Sequence, residues 1–196
     1  MGIVQEDRVI VLCRTLYCSQ TLHFCQNTIH ANLLSQLCSR NVMTVRTKYT
    51  RRGSMRELTV TLAHLLQDSE KPPLSEGLRQ LTDLCSKNKM QIIAGCDANA
   101  HHIIQASMDI NQRGECLMVY LVCTILNILH KGMKPTLVIS KIKEVIDLTT
   151  ATDKTGNLVT KWHVFDKIPL SDHRYILFQI TRVIATPREP LGNPIG

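Results

Sequence analysis

Gln91-Ile92-Ile93-Ala94-Gly95-Cys96-Asp97-Ala98-Asn99-Ala100-His101-His102 reads as a strand that breaks into a polar loop. The short apolar run, preceded by helical periodicity, is the pattern of a strand buried on both faces. It ends on an acid, an amide and paired imidazoles. The rigid scaffold therefore stops where reactive side chains begin, the usual arrangement of a site carried on a strand end. Ser171-Asp172-His173 repeats the arrangement in reverse, standing directly before the strand-like run Arg174 to Phe178. Between the two lies Glu144-Val145-Ile146-Asp147-Leu148-Thr149, with a single carboxylate set into an otherwise strand-like segment.

Upstream of the Asp97 loop, Leu74, Leu78, Leu81 and Cys85 follow Pro72-Pro73 at helical spacing and predict an amphipathic helix. Further back, Met43, Val45, Thr47 and Tyr49 alternate with Val42, Thr44, Arg46 and Lys48. Leu58, Val60 and Leu62 alternate beyond Arg51-Arg52-Gly53-Ser54, which predicts a β-hairpin with a basic tip. Residues 1–38 show no clear period apart from a strand candidate over Arg8 to Cys13. Downstream, a second helix is expected from Gly114 to Leu129, stopping near Lys131-Gly132. Strands are expected over 135–140, 144–150, 157–165 and 174–183. Strands outnumber helices and helices intervene, so the expected fold is α/β, a two-sheet sandwich flanked by helices. The expected organisation is an ill-defined segment over 1–29, one domain over 30–183, and a Pro- and Gly-rich tail or linker over 184–196.

A length of 196 residues suits one domain, and 44% apolar with only 4% aromatic residues implies an aliphatic core. The net charge of +7 favours a polyanionic partner, nucleic acid or an anionic membrane surface. The longest apolar run, Leu117 to Leu129, is too short to span a bilayer and is broken by Thr124 and Asn127. Glu6, Asp7 and Arg8 precede the first apolar stretch, unlike a secretory signal, so an intracellular chain without membrane attachment is expected. The eight cysteines include no Cys-x-x-Cys pair, which points to buried free thiols and away from a zinc or disulfide framework.

Hydrolysis of a phosphate ester needs an activated water, neutralised phosphoryl oxygens and help for the leaving alkoxide. Asp97 at a strand end has the chemistry to orient or deprotonate the water, and Asn99 to hydrogen-bond the phosphate. His173 has the chemistry to hold the phosphate if Asp147 or Asp172 fixes its tautomer. A remaining carboxylate suits Mg²⁺. Each feature has an ordinary explanation as well. Asp-x-Asn after a strand is a common turn, and Asp147 is equally at home on a sheet edge. Their ordered combination is what carries information.

Gly-x-Asp-x-Asn, Ile-Asp within a strand and Ser-Asp-His before the last strand resemble the endonuclease/exonuclease/phosphatase superfamily. Gly95 to His102, Asn111-Gln112-Arg113-Gly114-Glu115, Glu144 to Thr149 and Leu170 to Arg174 look more closely like the apurinic-endonuclease-like domain of insect non-LTR retrotransposons. The resemblance implies a domain that nicks chromosomal DNA to prime reverse transcription, with Mg²⁺ or Mn²⁺ as cofactor and no small-molecule cofactor. It implies that Asp97 acts on water, Asn99 binds phosphate, and His173 contacts the scissile phosphate with Asp147 as its orienting carboxylate. Asp172 would lie near the metal and His102 would support the loop. The chain departs from that pattern in three places. The family's N-terminal strand and metal-binding Glu are read as missing, because Gln5-Glu6 stands too close to Leu33-Leu34. Ala63-His64-Leu65-Leu66 replaces a Tyr-bearing motif, and Gln105-Ala106 replaces Trp-Gly. An impaired nuclease is therefore expected. The alternatives are a non-catalytic nucleic-acid-binding remnant using Lys48, Arg51 and Arg52, and, disfavoured by the retrotransposon-like contexts, a phosphatase on inositol phosphates or sphingolipids.

Overall fold

The computed structural model describes residues 9–15, 20–24, 31–51, 54–65, 76–105, 107, 109–130, 132–165 and 172–180. Arg52, Ser171, the tail over 184–196 and the side chain of Arg51 lie outside the described residues. In chain order the strands are β1 (Val9–Thr15), β2 (Gln20–Phe24), β3 (Ala31–Leu33), β4 (Val42–Arg51), β5 (Ser54–His64) and β6 (Gln91–Asp97). They continue as β7 (Leu126–Ile128), β8 (Leu137–Ile139), β9 (Ile142–Glu144), β10 (Asp147–Thr152), β11 (Val159–Val164) and β12 (Ile176–Ile180). The helices are α1 (Glu76–Lys87), α2 (Gln112–Val122) and the single turn α3 (Asp153–Gly156).

Alternation over 42–64 produces the expected hairpin, with β4 and β5 paired from Val42↔Ala63 to Arg51↔Ser54. β5 then pairs parallel with β6, and α1 lies on the crossover that a parallel pair requires. The result is a six-stranded sheet in the order β3-β4-β5-β6-β10-β7, faced by a four-stranded sheet in the order β11-β12-β1-β2. β8 and β9 form a separate small hairpin. This is the α/β two-sheet architecture the sequence predicts, and the four-stranded sheet draws β1 and β2 from residues 9–24.

Two cores explain why β6 is apolar without alternation. Ile92 and Cys96 point into a cluster with Leu78, Leu81 and Cys85 of α1 and Leu117 and Leu121 of α2. Ile93 points the other way, into a cluster with Leu58, Val60, Ile176, Phe178 and Ile180 between the two sheets. Each face of the strand is covered by a different layer, so both sets of side chains must be hydrophobic.

Two elements depart from expectation. The helix predicted over 114–129 ends at Val122, and Leu126–Ile128 becomes β7 on the flank of β10. An apolar stretch of that length suits either state, and pairing of Leu126 to Ile128 with Thr150 to Thr152 decides for the strand. The two runs expected over 135–140 and 144–150 become three strands, β8, β9 and β10, with a turn at Ser140, whose φ is +45°, joining β8 to β9. Asp147 therefore opens a strand that lies between two neighbours, and it is not on a sheet edge.

Candidate active site

Strand register assembles the site. His64 at the end of β5 is paired with Asp97 at the end of β6, and Asp97 is paired with Asp147 at the start of β10. Three adjacent strands thus present three titratable side chains along one rim of the sheet. The ladder continues past them through Leu65 N–H donating to Asp97 O at 2.9 Å and Ala98 N–H donating to Ile146 O at 2.9 Å. Two buried backbone N–H groups, of Ile146 and Asp147, donate to Thr136 Oγ1 at 3.1 and 3.0 Å and fix the start of β10.

His173 arrives from the opposite direction. Val138 N–H donates to Asp172 O at 2.8 Å and Arg174 N–H donates to Thr136 O at 2.7 Å, clamping the segment on both sides of His173 to the β8 region. Its Nδ1 lies 3.0 Å from Asp147 Oδ2, and its Nε2 lies 3.8 Å from Asp97 Oδ2. His64 Nε2 lies 3.5 Å from the same Asp97 oxygen. Asp97, Asp147 and His173 each offer a ligand atom, all within 4.8 Å of one another.

The electrostatics follow from crowding two carboxylates and two imidazoles at low exposure. Asp97 is pushed up to about 7, chiefly by burial and then by the charge of Asp147. His173, the Asn99 backbone N–H and Arg113 pull it back only in part. Burial alone would depress His173, yet its hydrogen bond to Asp147 and the charges of Asp147, Asp97 and Asp172 raise it overall. His64 moves the other way, lowered by burial and by repulsion from His173 and Arg113 against the attraction of Asp147. Asp97 Oδ1 is buried without a hydrogen-bond partner. An orphaned buried carboxylate oxygen is expensive unless a proton, water or cation completes it. The carboxylates of Asp97 and Asp147, which face His173 across the rim, would therefore suit a divalent ion.

Asn99 sits at φ +45° with its amide Nδ2 donating to Leu65 O at 3.1 Å. Asp172 is exposed and acts on the cluster through its charge on His173. His102 turns into its own loop, where Nδ1 accepts the Ile104 N–H at 3.2 Å, outside the group formed by Asp97, Asp147 and His173. Lys48 is exposed on β4. Two further side chains belong to the site. Besides His64, Arg113 of α2 donates to the carbonyls of Asn99, Leu65 and Ala98 at 3.0, 3.2 and 3.4 Å. Both were visible in the motifs, His64 as a departure and Arg113 within Asn111 to Glu115. Only the parallel register and the placement of α2 reveal what they touch.

Residues 60–177 match the family profile described as endonuclease-reverse transcriptase. The chain belongs to that family. A search of curated proteins by sequence finds no match. Among solved structures, the endonuclease domain of TRAS1, a telomere-specific non-LTR retrotransposon, superposes with a TM-score of 0.70 at 23% identity, covering 88% of this chain and 80% of that one. The catalytic domain of Xenopus laevis APE2 gives 0.63 at 13% identity, with 95% and 80% covered. AP endonuclease LMAP from Leishmania major gives 0.61 at 11% identity, with 79% and 62% covered. These likenesses show the fold of the endonuclease/exonuclease/phosphatase superfamily. In this member of the family, β6, β10 and the segment before β12 all fall inside the matched span, so the clustered side chains belong to the family's own region.

Proposed function

We propose that the chain is a metal-dependent endonuclease domain that hydrolyses DNA phosphodiester bonds, nicking a target site as the TRAS1 likeness suggests. The observation that supports this reading best is the convergence of Asp97, Asp147 and His173 from three separate stretches of backbone. A bound divalent ion, Mg²⁺ or Mn²⁺, supplies charge neutralisation of the phosphoryl group. Asp97, with a proton affinity near neutrality, takes the proton from the attacking water. His173, whose proton Asp147 helps to retain, contacts the phosphoryl oxygens, and Asn99 adds an amide contact. The P–O3′ bond breaks and the leaving oxygen takes a proton from solvent water, giving a 3′-hydroxyl and a 5′-phosphate. Activity depends on a deprotonated Asp97 and a protonated His173, so the rate should rise as Asp97 titrates at about 7 and fall again once His173 loses its proton.

We further propose that the activity is weak. The family's metal-binding Glu has no match in the pattern, a loss worth roughly two to four orders of magnitude in rate. Supercoiled-plasmid nicking in Mg²⁺ and Mn²⁺ tests the assignment. Asp97→Ala and His173→Ala should each slow nicking by about 10²–10⁴. Equal background from all three proteins removes the catalytic reading. A nucleic-acid-binding remnant then stands as the alternative, favoured by the net charge of +7 and the exposed Lys48. Its binding should weaken steeply with salt.

A further inference from the structure

We propose that Arg113 is a positioning residue for the cleft: its planar guanidinium fixes the loop after β6 and so sets the direction of the Asn99 amide. The proposal rests on the reading of that cleft as a phosphodiester-cleaving site. Arg113 Nε donates to Asn99 O at 3.0 Å, and its Nη2 donates to Leu65 O at 3.2 Å and to Ala98 O at 3.4 Å. These carbonyls stand just beyond His64 and Asp97, where the N–H groups of Leu65 and Ala98 still extend the sheet ladder. Leu65 and Ala98 are 1% and 0% exposed, so water does not replace the guanidinium there. Leu65 O is a shared acceptor. Asn99 Nδ2 also donates to it, at 3.1 Å, from a backbone held at φ +45°. One side chain therefore grips the turn through Asn99 O and the amide plane through Leu65 O.

The helix itself gains nothing from Arg113. It is the second residue of α2, and a cation in a first turn opposes the helix dipole. A side chain suited to the helix alone would be neutral or acidic, as Glu115 is. A local rule broken in this way marks a demand from elsewhere in the fold. The charge of Arg113 acts on both Asp97 and His64, which places the guanidinium beside the reacting groups while its donors turn to their backbone. Lysine would keep the charge and lose the fork, because an ammonium lacks the fixed plane that meets three carbonyls. Such a residue changes how well bound DNA reacts, not how tightly it binds.

Two readouts on the full chain test the proposal. The first is the side-chain amide of Asn99 in isotope-edited NMR spectra, identified by its loss in Asn99→Ala. In the parent its signal should lie away from that of a free asparagine, and in Arg113→Ala and Arg113→Lys it should move to that position. Millimolar guanidinium should return it in Arg113→Ala. The second readout is single-turnover nicking at saturating DNA, which should fall about 100-fold in both variants while DNA affinity changes by less than about threefold. Guanidinium should restore about tenfold of that loss to Arg113→Ala. Arg113→Lys carries the test alone if Arg113→Ala does not fold. An Asn99 amide unmoved in Arg113→Lys overturns the proposal, as does a loss confined to DNA affinity. If the parent nicks DNA in no divalent ion, the nuclease reading falls and the amide signal decides by itself whether Arg113 positions Asn99. Nicking at the parental rate in both variants leaves the nuclease reading standing and sinks this one.

Discussion

Asp97 holds its proton more tightly than an ordinary aspartate, because it is buried and faces Asp147. Its folded-state proton affinity, raised to about 7 chiefly by burial, exceeds that of an unfolded aspartate. A group with a raised folded value favours the folded state when protonated. Its contribution is therefore most favourable near the unfolded value and declines as pH rises through the folded one. In metal-free buffer, Asp97→Asn should raise the unfolding temperature at pH 8, where the parent holds an uncompensated carboxylate, and the gain should shrink towards pH 5. A gain independent of pH would contradict the assignment. Thr136 works by a different route. Its hydroxyl accepts the Ile146 and Asp147 N–H groups at full burial, and Thr136→Val leaves both without a partner. A loss of about 1–3 kcal/mol per orphaned group is expected from chemical denaturation. Slower nicking should follow, because the start of β10 positions Asp147.

At the level of elements, α2 and the Asp97–His101 loop act as one unit. Asn111 caps the helix by accepting the Gly114 N–H at 2.8 Å and also accepts the His101 N–H at 3.1 Å. Arg113 then ties the first turn to the carbonyls of Leu65, Ala98 and Asn99. Gly114 is required by close approach, since a Cβ there would lie 1.9 Å from the His101 carbonyl oxygen. Gly114→Ala must displace backbone, so a destabilisation above about 3 kcal/mol is expected, at the extreme of single substitutions. Nicking should fall with it, because the loop that carries Asn99 has to move. A variant with parental stability would show that α2 can slide without disturbing the site. The sequence motif from Asn111 to Glu115 marks this region but gives Arg113 no role. Helical periodicity reports which face is buried, and it does not report which carbonyls a long polar side chain will meet.

For the whole molecule, the two sheets are held face to face by the cluster around Phe178, which is 2% exposed on β12. Phe178→Ala removes the largest fully buried side chain of that cluster and should cost about 3–5 kcal/mol. The measurement is a lower urea midpoint at an unchanged slope. Because β12 follows directly on His173, the same change should loosen the site; a destabilised variant with undiminished nicking would separate the two sheets' roles.

The sequence alone determined the strand–loop pattern at Asp97, the hairpin over 42–64, the helix after Pro72-Pro73 and the order of the acid and imidazole groups. Those features are written in local periodicity and turn chemistry, which neighbouring residues enforce. Only the tertiary structure decided that Leu126–Ile128 is a strand, that His64 faces Asp97, and that Asp147 backs His173. Each of these depends on pairing or packing with residues tens of positions away, where the free energy of contact outweighs a weak or ambiguous local preference.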